Sequence, residues 1–146
     1  METLLGLPPA CSEGYDVAIG GGFELSPGVV ARTLALAHIV AVAAPPYLEG
    51  KPWITEPARL SSMDAIVMRS LQTGRIRRWT MRNVAGQEDL APLSETIIVN
   101  DPAAMREAAV LGLGVAMLAL PDVLPAVQAG RLVRLLPGWY ADAGAI

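Results

Sequence analysis

The sequence predicts an α/β fold in two lobes with a cleft between them, and three observations carry that prediction. From Thr96 onward strands alternate with helices, which implies βαβ units on a largely parallel sheet. Ile39–Ala44 and Val115–Leu120 are apolar throughout, as strands covered on both faces are, and they mark chain crossings near Ala43 and Met117. Between them Arg77–Asn83 alternates, with Trp79 and Met81 on one side and Arg78, Thr80 and Arg82 on the other. That is a half-exposed strand, and it fits a separate lobe. Lobe boundaries and the carboxyl ends of strands are where α/β proteins take small molecules.

The elements follow in order. Residues 1–14 hold Gly, Pro and Ser with no sustained period and read as a leader or a loosely packed arm. Tyr15–Ile19 is a short strand stopped by Gly20-Gly21-Gly22, and Val29–Leu36 reads as another. After Ile39–Ala44, Pro45-Pro46 breaks the strand and starts a helical turn that ends at Gly50. Lys51–Pro57 is a loop, Ala58–Ser62 one helical turn, Asp64–Met68 a strand, Gly86–Pro92 a polar turn and Thr96–Val99 a β-branched strand. Asp101 serves as N-cap with Pro102 at the first helical position, where a missing N–H costs nothing. Met105, Ala108, Ala109 and Gly112 keep to one face at spacings of three and four, and Gly112 suits the stop. Beyond Val115–Leu120, Asp122 is expected to cap a second helix ending at Gly130, and Leu132–Leu136 is the last strand expected.

Composition narrows the function. The chain has 146 residues, 53% hydrophobic and 17% charged, which suits a well-buried core and excludes a disordered chain. The hydrophobic share is high for this size, so some apolar surface is expected to meet a partner or a missing segment. A net charge of −3 lacks the basic balance of a dedicated DNA-binding domain. Five of the 11 basic residues nonetheless crowd together, at Arg69, Arg75, Arg77, Arg78 and Arg82. They read as a solvated strand face or as a contact for an anionic ligand or an RNA. One cysteine, Cys11, excludes an internal disulfide, and one histidine, His38, leaves no metal-ligand cluster. Met1-Glu2-Thr3 lacks the basic start of a secretory signal. The apolar run Ala108–Leu120 stops at Pro121, short of the roughly 18 residues a membrane span needs.

Catalytic and phosphate-binding patterns are lacking. Gly20–Leu25 fails the G-x-G-x-x-G spacing at its last position, and Gly112-Leu113-Gly114 follows a helix rather than opening one. His38 has no serine and carboxylate beside it, and Cys11 has no Cys-x-x-Cys partner. The Asn100-Asp101-Pro102 turn is different: a strand end delivers it and a helix start follows, so backbone N–H groups point outward. It admits two readings, an ordinary helix cap and a position that faces a ligand.

Taken in order, Tyr15–Gly22, Val30–Ala35, Val42–Gly50, Trp79–Met81, Val99–Leu120 and Gly130–Trp139 resemble stretches typical of the effector-binding domain of LysR-type transcriptional regulators. No single stretch is diagnostic; their order and spacing together carry the resemblance. It implies a periplasmic-binding-protein-like (type 2) fold with a central cleft and an incomplete first lobe. Residues 15–43 and 117–146 would be parts of that first lobe, and 44–116 the second. It also implies a small-molecule effector bound between the lobes, near Gly20, Gly21, Met68, Arg69, Val99, Asn100 and Asp101, to control transcription. DNA would be reached only through a winged helix-turn-helix that has no counterpart in this chain. The family's linker helix, its opening β-α-β units and its strands after Leu135–Trp139 have no counterpart either. Gly20 and Gly21 stand where the family usually carries Arg-Ile, which removes a charged group from the expected cleft.

The reading therefore expects no enzyme activity, no cofactor, no metal and no membrane contact, a cytoplasmic location, and a homodimer or higher homo-oligomer. Self-association is expected because an incomplete lobe leaves strand edges and apolar faces open. A solute-binding protein would share the fold but would need an export signal. An enzyme would need a convergent acid, base or nucleophile set.

Overall fold

The computed structural model describes residues 36–145, together with Val30 and Arg32. The expected strand at Tyr15–Ile19, the Gly20–Gly22 turn and Cys11 lie outside the described residues. Val30 and Arg32 are exposed and belong to no strand, and among the described residues the strand expected over 29–36 is present only at Leu36, the first residue of Leu36–Ala43. The chain divides into two compact units, Met1–Ala37 with Asp142–Ile146, and His38–Ala141. The second takes in the whole of residues 44–116 and the flanking strands.

One mixed sheet organises the described residues. Its strands are β1 (Leu36–Ala43), β2 (Ala65–Met68), β3 (Trp79–Asn83), β4 (Glu88–Ala91), β5 (Ile97–Val99), β6 (Val115–Ala119), β7 (Val133–Leu135) and β8 (Trp139–Ala145). They lie in the order β4-β3-β8-β1-β6-β2-β5, with β7 also paired to β1. Helices α1 (Pro45–Leu48), α2 (Pro102–Val110) and α3 (Leu120–Gln128) and a 3-10 turn (Pro57–Ser62) complete it. β2 runs parallel to both β5 and β6, while β1 runs antiparallel to β6.

The apolar runs are explained by burial on both faces. Val40 and Val42 of β1, Ile66 of β2, and Ala116 and Leu118 of β6 meet Met105 and Ala109 of α2 and Val123 and Ala126 of α3. The alternate residues Ile39, Ala41, Ala65, Val67, Val115 and Met117 are buried as well. A polar residue at any of these positions would lose hydration on either face, so no alternation survives.

Three expectations are corrected. Gly86–Pro92 is not simply a polar turn: Glu88–Ala91 forms β4, paired in register with β3 from Trp79↔Ala91 to Arg82↔Glu88. The reversal is made by Asn83, whose Oδ1 accepts the N–H groups of Ala85 and Gln87, and by Gly86 at φ 83°. The second helix starts at Leu120, with Ala119 at the cap position and Asp122 inside the first turn. Pro121, which needs no helical donor, fits the start and fixes φ there. Finally, the chain continues after Leu135 into β8, which pairs with β3 through Arg82↔Tyr140 and Asn83↔Trp139.

Tyr47 ties α1 to the entry of β2. Its ring is buried, its Oη accepts the Asp64 N–H at 2.7 Å, and Lys51 Nζ sits 4.1 Å above the ring. Burial raises the phenol's pKa above its usual value of 10.0. A raised native pKa stabilises the fold fully below the unfolded value and loses that contribution as pH climbs past it. Urea unfolding between about pH 8 and 11 is expected to show stability falling above about pH 10, with a shallower fall in Tyr47→Phe.

Candidate functional site

Parallel pairing sets the site. Met68 lies level with Val99, and the register Ala65↔Val115 and Ile66↔Ala116 brings the carboxyl end of β6 to the same edge. The ends of β2, β5 and β6 therefore open on one side, with α2 starting directly after β5 and α3 directly after β6. Antiparallel β1 begins there too, Ile39 lying opposite Ala119.

Five of the seven expected site residues come together at this edge. Met68 is half-buried, its side chain packed against the core under α2. The Arg69 N–H donates to the Val99 carbonyl at 2.8 Å, which carries the β2–β5 ladder to its last rung and leaves the Arg69 side chain exposed. Asn100 is exposed at the turn out of β5. Asp101 caps α2, its Oδ2 accepting the Ala104 N–H at 3.1 Å, with Pro102 at the first helical position. Its carboxylate is thus engaged by the helix, while the exposed Asn100 side chain makes no hydrogen bond among the described residues. Gly20 and Gly21 lie outside the described residues.

Asp101→Ala should lower stability by about 1 kcal/mol, the usual cost of a lost N-cap, as a shifted urea midpoint with an unchanged slope. Two neighbours at this edge escape the sequence reading, the Ala119–Leu120 junction and His38 near the start of β1. A parallel β2–β6 register, readable from two apolar runs of similar length, is the signal that would have added them. His38 is half-buried and stacks on Tyr140, the ring centroids 4.3 Å apart and the planes 22° from parallel.

The arginine-rich segment leaves this edge directly. Arg69 bridges to Ile76, Ser70 N–H donates to the Arg75 carbonyl, Gly74 N–H to Ser70, and Arg77 N–H to Met68. Residues 69–77 form a closed hairpin leading into β3. Among the described residues no three of His, Cys, Asp and Glu stand together to hold a metal ion. No helix among them is long and apolar enough to cross a membrane.

Residues 6–146 match the family model described as LysR substrate binding domain. The chain belongs to that family, the regulatory domains of LysR-type transcriptional regulators, and has their periplasmic-binding-protein-like (type 2) α/β fold. It is 32% identical over 133 residues to the HTH-type transcriptional regulator PtxR of Pseudomonas aeruginosa, covering 90% of this chain and 41% of that protein. It is 26% identical over 135 residues to the HTH-type transcriptional regulator DmlR of Escherichia coli, covering 90% and 42%. It therefore spans about two-fifths of the length of these curated relatives. Among solved structures, the regulatory domain of AphB from Vibrio vulnificus superposes with a TM-score of 0.72 at 22% identity, covering 89% of this chain and 65% of that one. The CrgA regulatory domain of Neisseria meningitidis gives 0.71 at 18% identity, covering 92% and 68%.

Proposed function

We propose that this chain is the effector-sensing part of a LysR-type transcriptional regulator. It takes a small, partly polar molecule at the carboxyl edge of β2, β5 and β6, beside Met68, Arg69, Val99, Asn100 and Asp101. The observation that supports this reading is the level register of Met68 and Val99, which makes exposed Arg69 and exposed Asn100 the next residues on neighbouring strands above a packed core. The chain senses and does not catalyse. Residues 15–43 with 117–146 form one lobe in this reading, and 44–116 the other.

DNA recognition belongs to the winged helix-turn-helix part of such a regulator, which places its action in the cytoplasm. A thermal-shift screen with small carboxylates and aromatics is expected to find ligands that stabilise the chain by RT ln(1 + [L]/Kd). Asn100→Ala should weaken such a ligand about tenfold, the equivalent of about 1.4 kcal/mol. Binding indifferent to substitution at every one of these positions would overturn the site.

Self-association follows from the sheet's open ends. β4 and β5 close the strand order on either side, and Leu90 and Ile98 on them are exposed. Unpaired edges carrying apolar side chains recruit further chains, most simply a second copy about a two-fold axis. Light scattering at tens of micromolar should show a dimer or larger species, and a stable monomer would contradict it.

A further inference from the structure

Apart from Arg69 at its base, the arginine hairpin is left unused by the effector site. From Ala65 to Gln87 the sequence holds five arginines and no aspartate or glutamate. Arg82 is accounted for by Glu88, its cross-strand partner at 3.7 Å. Arg69, Arg75, Arg77 and Arg78 are all exposed, and none of the four makes an ion pair among the described residues. Arg77 lies over the Trp79 ring at 4.3 Å, which holds its guanidinium in place without neutralising it.

These charges stand on fixed backbone. The Arg69–Ile76 bridge and the bonds from Ser70, Gly74 and Arg77 close the hairpin, and Gly74 supplies the positive φ of 70° that the turn needs. Arg75 and Arg77 are two residues apart on an extended segment, about 6–7 Å. One DNA strand presents about two charges over that length of helix axis. Leu71, at the tip, is the one large apolar side chain that the hairpin exposes strongly. A protein interface would need an apolar centre, which a lone leucine does not make.

We propose that the hairpin formed by residues 69–78 is a contact for the phosphate backbone of duplex DNA. This rests on the regulator reading, because four guanidinium groups bind weakly on their own. A tethered helix-turn-helix holds DNA near the chain at an effective concentration in the millimolar range, where a weak contact is occupied. The contact is sequence-independent and adds electrostatic affinity beside the recognition helix.

The test is fluorescence anisotropy of a labelled duplex of about 25 base pairs titrated with this chain, from about 20 to 150 mM KCl. Four phosphate contacts predict a slope of about −3.6 in log K against log[KCl]. Binding should therefore weaken about a thousandfold across that range and be lost near physiological salt for the untethered chain. Arg75→Gln/Arg77→Gln/Arg78→Gln should flatten the slope to about −1, and the corresponding lysine variant should retain most of it. Arg59→Gln/Arg131→Gln, exposed positions elsewhere, should leave it unchanged. The single variants Arg75→Gln and Arg78→Gln, each expected to remove about 0.9 from the slope, serve if the triple variant misfolds. No binding at 20 mM salt would overturn the proposal, as would a slope indifferent to these arginines. So would equal, arginine-dependent binding of poly-glutamate, which would assign the surface to an acidic protein. Asn100→Ala, which reports on the effector site, should not move the slope, so the two readings fail separately.

Discussion

Gly114→Ala is expected to destabilise the chain by about 3 kcal/mol, enough to remove much of the margin of a domain this size. A Cβ on Gly114 would stand 2.6 Å from the Asp64 carbonyl oxygen and 2.9 Å from its carbon, and the residue sits at φ +154°. Both atoms are backbone, and that backbone is pinned. The Asp64 carbonyl accepts the Val115 N–H at 2.9 Å, and its own N–H donates to Tyr47 Oη at 2.7 Å. Relief of the clash would break the first rung between β2 and β6, at the base of the strands that carry the proposed site. Gly112 is the comparison. Its φ is +82°, but nothing lies within 4 Å of an added Cβ, so alanine there should cost only about 1–2 kcal/mol of backbone strain. Equal losses at both positions in chemical denaturation would contradict the close-approach account.

Ile66→Ala is expected to cost about 3–4 kcal/mol. Ile66 is fully buried in the middle of the parallel strands, in register with Ile97 on one side and Ala116 on the other, and belongs to the cluster under α2. Removing three carbons leaves a cavity that strands paired on both sides cannot close. Ile98→Ala, on the exposed side of edge strand β5, should change stability by about 0.5 kcal/mol or less. Because Ile66 is two residues before Met68, the same substitution should also loosen the proposed site and weaken any ligand found to bind there, through the packing that holds Met68 in place.

The parts of this chain that were legible in the sequence are those in which one residue type has one physical use. An unbroken apolar run at Ile39–Ala44 can only be a strand covered on both faces. Asp101 followed by Pro102 can only open a helix economically, and the cap bond to Ala104 is there. β4 was hidden because Glu88 and Asp89 have little strand propensity of their own. They are held by the Asn83–Gln87 reversal and by pairing with β3, which is tertiary information. β8 was hidden because Ala141–Ala145 shows no alternation, and its place beside β1 and β3 comes from the sheet rather than from its residues. In α3, Asp122 drew the cap three residues too late, where Pro121 was the better signal. The edge proposed as the site was legible in part: turn chemistry pointed to Asn100 and Asp101, and the family-like wording added Met68, Arg69 and Val99, which the sheet brings to one edge. The contribution of β6 needed the register.

Where a ligand binds is the most direct test of the sensor role. Backbone amide shifts of the isotopically labelled chain, followed during titration with a small molecule that stabilises it, test this residue by residue. The predicted result is saturable perturbation centred on Met68, Arg69, Val99, Asn100 and Asp101 and spreading to Ala119–Leu120, with β4 and the β7–β8 turn unmoved. Saturable binding that perturbs β4 or the β7–β8 turn and leaves 68–69 and 99–101 unchanged would contradict the effector site, and with it the reading of this chain as a sensor.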